Sequence, residues 1–513
     1  MALEGLRLAM TALPGGVPAW HARAEPARLG ELASAIAARG GRLAALWGSD
    51  ERDRGAGFAL HAAFVVDASL LWVEAPLDAE RPRYPDLAAT FPCADRMQRA
   101  LRDLLGIEAE GAYDQRAWLR HGAWPADAFP LRRDVPAGET WPNQVEPYAF
   151  VQVEGDGVHE IPVGPVHAGI IEPGHFRFSI VGEKVLRLEQ RLGYVHKGID
   201  KRFESMSVIE GARLAGRVSG DSTVAYAWAY SMAAESIAQS TPPARALWMR
   251  ALALERERIA NHLGDLGYLG NDGGLAFGLA QFLRLKEDVL RLNARLFGHR
   301  YLMDVVVPGG VARDLDPAGG EALLAQCAAL EAELAVVRDI YDDHAGLQDR
   351  FLTCGIVSPE LAARLGVIGL AGRASGQPWD ARVAPSFEPY DRLAVNMKLA
   401  RAGDVAARVG IRFDEIAESI RLIRSIVEQI PGGAIATDVP GSPTGRGIGW
   451  VEGWRGESIV ALEVADGRIR RAHAHDPSWQ NWPALEHAVI GNIVPDFPLI
   501  NKSFNLSYSG QDS

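Results

Sequence analysis

Residues 214–226 read LAGRVSGDSTVAY, inside a region that otherwise has the pattern of a long helix. Gly216, Ser219, Gly220, Asp221 and Ser222 stand almost in a row. Glycine costs backbone entropy in a helix, and serine and aspartate compete for its backbone hydrogen bonds. Small residues clustered in this way leave room for another group to come close.

Outward from this stretch the pattern is mostly helical, from about 205 to 430. Residues 244–269, ARALWMRALALERERIANHLGDLGYL, set Leu247, Leu254, Ile259, His262 and Leu266 along one helical face, and residues 313–344 form a second long amphipathic segment. Before it, FRFSIV and KVLRLEQ alternate around Gly182-Glu183 as a hairpin, and ESIVALEVADGRIRRAHAHDP does the same around Asp466-Gly467. At the N-terminal end a helix over 27–39 stops at Gly40-Gly41. The strands RLAALWG, FALHAAFVV and SLLWVEAPL follow, the last two joined by a turn around Asp67, and then a helix, CADRMQRALRDLLG. Between about 110 and 145 the chain is rich in proline and glycine. The expected fold class is α+β: a small α+β domain over 1–140, a linker over 141–160, and a mostly helical bundle with flanking β hairpins over 161–513.

Composition narrows the function. At 513 residues the chain exceeds one ordinary core. A net charge of −12 argues against a nucleic-acid partner, which needs a basic footprint. No window approaches the roughly eighteen apolar residues of a membrane span, and the N-terminus has no secretory pattern. Cys93, Cys327 and Cys354 lie far apart without any CxxC, so they read as small buried hydrophobes in a reduced compartment and cannot hold an iron–sulfur cluster. Neither a Walker A loop nor a GxGxxG after a strand is present.

Residues that could carry chemistry fall in four stretches. GPVHAGIIEPGHFRF holds His167, Glu172 and His175 among glycines and prolines; such histidines exchange protons near neutral pH, and equally serve as hydrogen-bonded surface groups. In ERERIANHLGDLGYLGNDGG, Arg258, His262 and Asp265 share a helix face, and Asp272 stands where the helix should end. That face reads as ion pairing, and Asp272 as a capping or turn residue, unless the surroundings say otherwise. The opening stretch is the third. The fourth is the C-terminal NKSFNLSYSGQDS, whose usual reading is a frayed tail.

Taken in order, GPVHAGIIEPGHFRF, YVHKGIDKRFE, ERIANHLGDLGYLGND, RYLMDVVVPGGV and HDPSWQNWPAL resemble the large subunit of membrane-bound nickel–iron hydrogenases and its relative, the 49 kDa-type subunit of respiratory complex I, over residues 160–513. WLRHGAWPADAFPLRRD resembles the end of the 30 kDa-type complex I subunit, within the first 140 residues. Fusion of the two is the arrangement of formate hydrogenlyase and hydrogenase-4 type large subunits. Hydrogen-converting members carry RVCGxC and DPCxxC, whose thiolates hold nickel and iron. Here those positions are Ser219, Ser222, Ser507 and Gly510. Serine does not replace a soft thiolate at neutral pH, and glycine offers no side chain, so a hydrogenase is not expected.

In the complex I relatives the corresponding cavity admits a quinone headgroup, with a histidine, a tyrosine and an aspartate as polar ligands. The resemblance places His175 near the first and Asp272 at the third. Gly220 aligns with the tyrosine, and Tyr226 lies close by. It implies an electron-transferring subunit with catalytic His175, Asp272 and His262 and a substrate pocket of His167, Glu172, Ser219, Gly220, Ser222, Tyr226 and Ser507. No cofactor is expected on this chain itself. A small iron–sulfur subunit would deliver electrons, with ferredoxin-like and antiporter-like membrane subunits as further partners at the cytoplasmic face of the inner membrane. NADH, formate or ferredoxin would act through those other subunits. The alternative is a catalytically silent scaffold that couples cluster subunits to an ion-translocating arm. A third reading is a zinc or manganese site on His167, Glu172, His175 and Asp272.

Overall fold

The computed structural model describes residues 8–166, 171–440 and 443–513. The N-terminal unit is a five-stranded sheet of β1 (Met10–Leu13), β2 (Ala19–Arg23), β3 (Arg42–Asp50), β4 (Phe58–Val66) and β5 (Ser69–Leu77), in the order β1-β2-β5-β4-β3. Only the β2–β5 pairing is parallel. Asp67 and Ala68 take positive φ in the β4–β5 turn, as a two-residue hairpin with right-handed twist requires. Helices α1 (Leu29–Ala37) and α2 (Ala94–Leu105) complete this unit, and α2 packs on β3.

Residues 141–157 have no regular structure. They are held by stacking rather than by a ladder: the Arg191 guanidinium lies 4.0 Å from the Tyr148 ring centroid, and that of Arg177 lies 4.4 Å from Phe150. Next come three antiparallel strands, β6 (Val158–Val166), β7 (Gly174–Val181) and β8 (Lys184–Arg191), with the β7–β8 turn at Gly182-Glu183.

The helical body follows. Its longer helices are α3 (Val208–Ala215), α4 (Thr223–Ala238), α5 (Ala244–Asp272), α6 (Ala276–Phe297), α7 (Pro317–Asp343) and α8 (Val405–Gln429). α5 is the axis, packed against α6 on one side and α8 on another. Strands β9 (Gly445–Glu452), β10 (Glu457–Ala465) and β11 (Arg468–His475) form an antiparallel sheet covered by α4, and α9 (Ser478–Ala488) and α10 (Phe497–Phe504) close the chain.

The two units meet along β3 and β11. Trp47 stacks on His473 at 5.1 Å, Arg471 Nε donates to the Gly48 carbonyl at 2.8 Å, and a buried Arg42–Glu457 ion pair crosses the seam. The C-terminal residues do not fray. Gln511 and Asp512 are fully buried, and Val195 N–H donates to the Asp512 carboxylate, so this segment is part of the core. Among the described residues, no helix is long and apolar enough to cross a membrane.

Candidate functional site

The small-residue stretch breaks the helix. A capping box between Ser207 and Glu210 starts α3, which ends at Ala215. The backbone then leaves helical geometry, makes one tight turn over Gly220–Ser222, and restarts as α4. The break turns the two serines to different neighbours. Ser219 Oγ donates to Asp221 at 2.8 Å and lies 2.8 Å from Ser507 Oγ, which accepts the Gly510 N–H at 2.9 Å. Ser222 Oγ is buried behind Arg455, whose Nη1 reaches it at 3.3 Å. Residues almost 300 positions apart along the chain are thus brought to one floor, and these are the positions the resemblance assigns to thiolates.

Above that floor lies a cavity of about 670 Å³. Ser219, Gly220, Ser507 and Glu172, all expected in a substrate pocket, line it. Much of the rest of its wall is charged. Arg455 makes a bidentate pair with Asp221 at 2.5 and 2.8 Å; burial opposes the Asp221 charge, but the guanidinium outweighs it and holds the carboxyl at about 2. Asp265 of α5 accepts from Arg412 of α8 at 2.9 Å and from Asn505 at 2.6 Å. Lys502 reaches in from α10, Lys286 from α6.

Asp265 belongs to the stretch noted in the sequence, though the structure turns it to the cavity while Arg258 and His262 face Glu415, and Lys502 belongs to the quoted C-terminal stretch. Arg455 and Lys286 carry no local signal that would have marked them.

The remaining expected residues stand outside the described wall. His175 is buried on β7, with Nδ1 3.1 Å from the Gly164 carbonyl, Nε2 accepting from Arg177, and its ring against Phe150. Burial pushes its pKa down. Its neighbour Gly174 faces Tyr508 of the cavity wall, so alternation along the strand turns His175 the other way. His262 is fully buried, 2.9 Å from Glu415 of α8, and burial lowers its pKa despite that carboxylate. Its face makes buried interhelical ion pairs. Asp272 is the last residue of α5, half-buried, and burial raises its pKa. Tyr226 lies behind the floor and donates to Asp476 at 2.6 Å. His167 lies outside the described residues. Among the described residues no group of three or more histidine, cysteine, aspartate or glutamate side chains is placed to hold a metal ion.

A nickel–iron centre does not fit this floor. Its donors are hydroxyls already engaged with one another, and the fourth position is closed. A Cβ added at Gly510 would fall 2.3 Å from Asp476 Oδ2, the carboxylate fixed by Tyr226. The space a side chain would need at Gly510 is occupied.

Comparison with known proteins agrees with this architecture. Residues 22–140 match the family model of the 30 kDa subunit of respiratory-chain NADH dehydrogenase, and residues 272–442 that of its 49 kDa subunit. Formate hydrogenlyase subunit 5 of Escherichia coli (strain K12) is 30% identical over 489 residues, covering 92% of this chain and 85% of its own. Hydrogenase-4 component G of the same organism is 30% identical over 481 residues, covering 92% and 84%. A chain of the membrane-bound sulfane sulfur reductase, an archaeal respiratory membrane complex, has the same fold, with a TM-score of 0.66 at 23% identity over 70% of this chain and 99% of that one. The chain therefore belongs to the complex I-like family in which 30 kDa-type and 49 kDa-type units are fused, alongside formate hydrogenlyase subunit 5 and hydrogenase-4 component G, with serine and glycine where the hydrogen-converting members carry the thiolates of nickel and iron.

Proposed function

We propose that the chain is the peripheral large subunit of a membrane-bound, complex I-like oxidoreductase, and that its cavity receives the electron acceptor. The observation that carries this reading is the open volume of about 670 Å³ resting on the Ser219–Ser507 pair, where packed side chains would mark a retired site. Electrons would come from the iron–sulfur cluster of a small partner subunit, with ferredoxin-like and antiporter-like subunits completing the complex at the cytoplasmic face of the inner membrane. The resemblance implies a quinone as acceptor. In this scheme Asp272, half-buried at the end of α5 and within reach of the Lys502 charge, relays protons toward the site.

Gly220 provides the test. A Cβ there meets only the Met303 methyl, at 3.6 Å, so Gly220→Phe projects a ring into the cavity without disturbing the floor. In the complex purified from its native membranes, G220F should abolish acceptor reduction driven by a low-potential dye, with all subunits still present. Unchanged turnover would remove the cavity from the reaction. Asp272→Asn should lower turnover about a hundredfold or more, the usual contribution of a proton relay, and normal turnover would remove Asp272 from that role.

A second reading, a silent coupling subunit, draws on the closure of the Gly510 position by Asp476. A G220F complex that retains electron transfer would favour it.

A further inference from the structure

Four carboxylates and four cations line the cavity among the described residues, but they are unevenly paired, because two of the carboxylates also lean on cations behind the wall. Asp221 is paired with Arg455, Glu287 with Arg300 at 2.7 Å, and Asp265 with Arg412 at 2.9 Å. Glu172 accepts the Ser509 N–H at 2.8 Å and feels the charge of Lys197. Two wall lysines are left without a carboxylate of their own at close range. Among the described residues Lys286 pairs with no carboxylate. Its side chain crosses α5 at Gly264, where an added Cβ would come within 2.8 Å of the ammonium. Lys502, only 6% exposed, lies 5.0 Å from the Tyr268 ring centroid and 3.8 Å from Asp265, a carboxylate already bonded to Arg412 and Asn505.

Two ammonium groups in a part-buried wall repel each other, and an anion held between them relieves that repulsion. Burial lowers the Lys502 pKa; Asp265 opposes the shift, and Arg412, Arg455 and Lys286 add to it.

We propose that the cavity binds its acceptor as a small polyatomic anion, held between Lys286 and Lys502 above the Ser219–Ser507 floor. This deepens the reading of the cavity as the acceptor site and rests on it. It names a substrate class distinct from a neutral quinone headgroup. The two lysines neutralise and orient the anion through charge-assisted hydrogen bonds, which are short and strong. Gly264 is part of the design: any larger residue would press on the Lys286 ammonium.

The test is calorimetric titration of the purified full chain with sodium sulfate and sodium thiosulfate, against sodium chloride at matched ionic strength, with decylubiquinone as the neutral competitor. Saturable binding of one dianion per chain is expected. Lys286→Gln and Lys502→Gln should each weaken it about tenfold or more, the worth of one charge-assisted contact. Lys286→Arg should restore most of it, and Lys184→Gln, on the exposed β7–β8 hairpin, should change nothing. Circular dichroism checks that each variant is folded.

Absence of saturable dianion binding overturns the inference. So does binding that survives both glutamine variants, which would be an adventitious ion only. Decylubiquinone binding that sulfate does not displace and the lysine variants do not affect also overturns it. The broader reading is separated by G220F in the complex. If G220F keeps turnover, the acceptor reading itself fails; if G220F abolishes turnover while both lysine variants turn over normally, only the anion inference fails.

Discussion

Along α5, Glu255, Arg258 and His262 turn toward α8 and the C-terminal sheet, whereas Asn261, Gly264, Asp265 and Tyr268 border the cavity. Both faces are rich in charge, but their balances differ. On the first, Glu255, Glu415, Glu452 and Asp380 meet Arg258, Arg373 and Arg382 in a fully buried lattice, with Arg373 2.8 Å from Glu415 and 2.7 Å from Glu452. The carboxylates outnumber the guanidiniums by one. Burial, and next Asp380, push Glu452 up to about 7, so it takes up a proton more readily than an ordinary carboxylate. On the cavity face, among the described residues, Lys286 has no carboxylate at ion-pairing distance and Lys502 only shares Asp265 with Arg412 and Asn505. A lattice that closes on itself holds the helices together; one left open by two lysines is suited to a ligand.

The strongest way to break this comparison is Arg373→Met. It strands Glu452 without its cation and takes one guanidinium from Glu415, and removing one partner of a buried pair costs about 3–5 kcal/mol. Denaturant unfolding measures it, and a loss below about 1 kcal/mol would show that the lattice contributes specificity rather than stability. Next is Gly510→Cys, whose Cβ collides with Asp476. Overpacking of this kind costs about 1–3 kcal/mol, read as a lower unfolding midpoint; an unchanged midpoint would mean that Asp476 moves freely.

A last test, read as a slope in stability rather than a shift of the midpoint, sharpens the comparison through pH. Glu257 accepts the Val224 and Ala225 N–H groups at the start of α4, and burial pushes it up to about 8. Its folded pKa lies above the unfolded value of 4.5, so the unfolded state ionises first. Its contribution is intact below pH 4.5 and is lost as pH rises toward about 8. Glu257→Gln should reduce the loss of stability across that window by up to about 1.4 kcal/mol per pH unit. An unchanged slope in unfolding curves between pH 5 and 8 would show that Glu257 is ionised in the folded chain.

The sequence made the hairpins at 182–183 and 466–467, the long helices and the small-residue break legible, because each is written in local periodicity or in local turn chemistry. The floor was legible too, through the resemblance that assigned Ser219, Ser222, Ser507 and Gly510 to one place. The wall was not. Lys286, Arg455 and Lys502 come from three distant segments, and only tertiary closure puts their charges in one volume. His175 shows the opposite limit: the resemblance placed it near the cavity, but the pleat of β7 sends its ring to the linker and Phe150.

The Asp476–Tyr226 contact has a further meaning for the paths open to this chain. Hydrogen-converting relatives and this protein differ at the four thiolate positions, yet substitution there alone does not connect them. Three of the four positions hold serine, which differs from cysteine by one atom and keeps the direction of the side chain. The fourth has been filled from behind by a carboxylate held at 2.6 Å. Recovery of a metal site would have to move Asp476 before it could place the last ligand, so the intermediate on that path is worse than either end. The floor works as a ratchet.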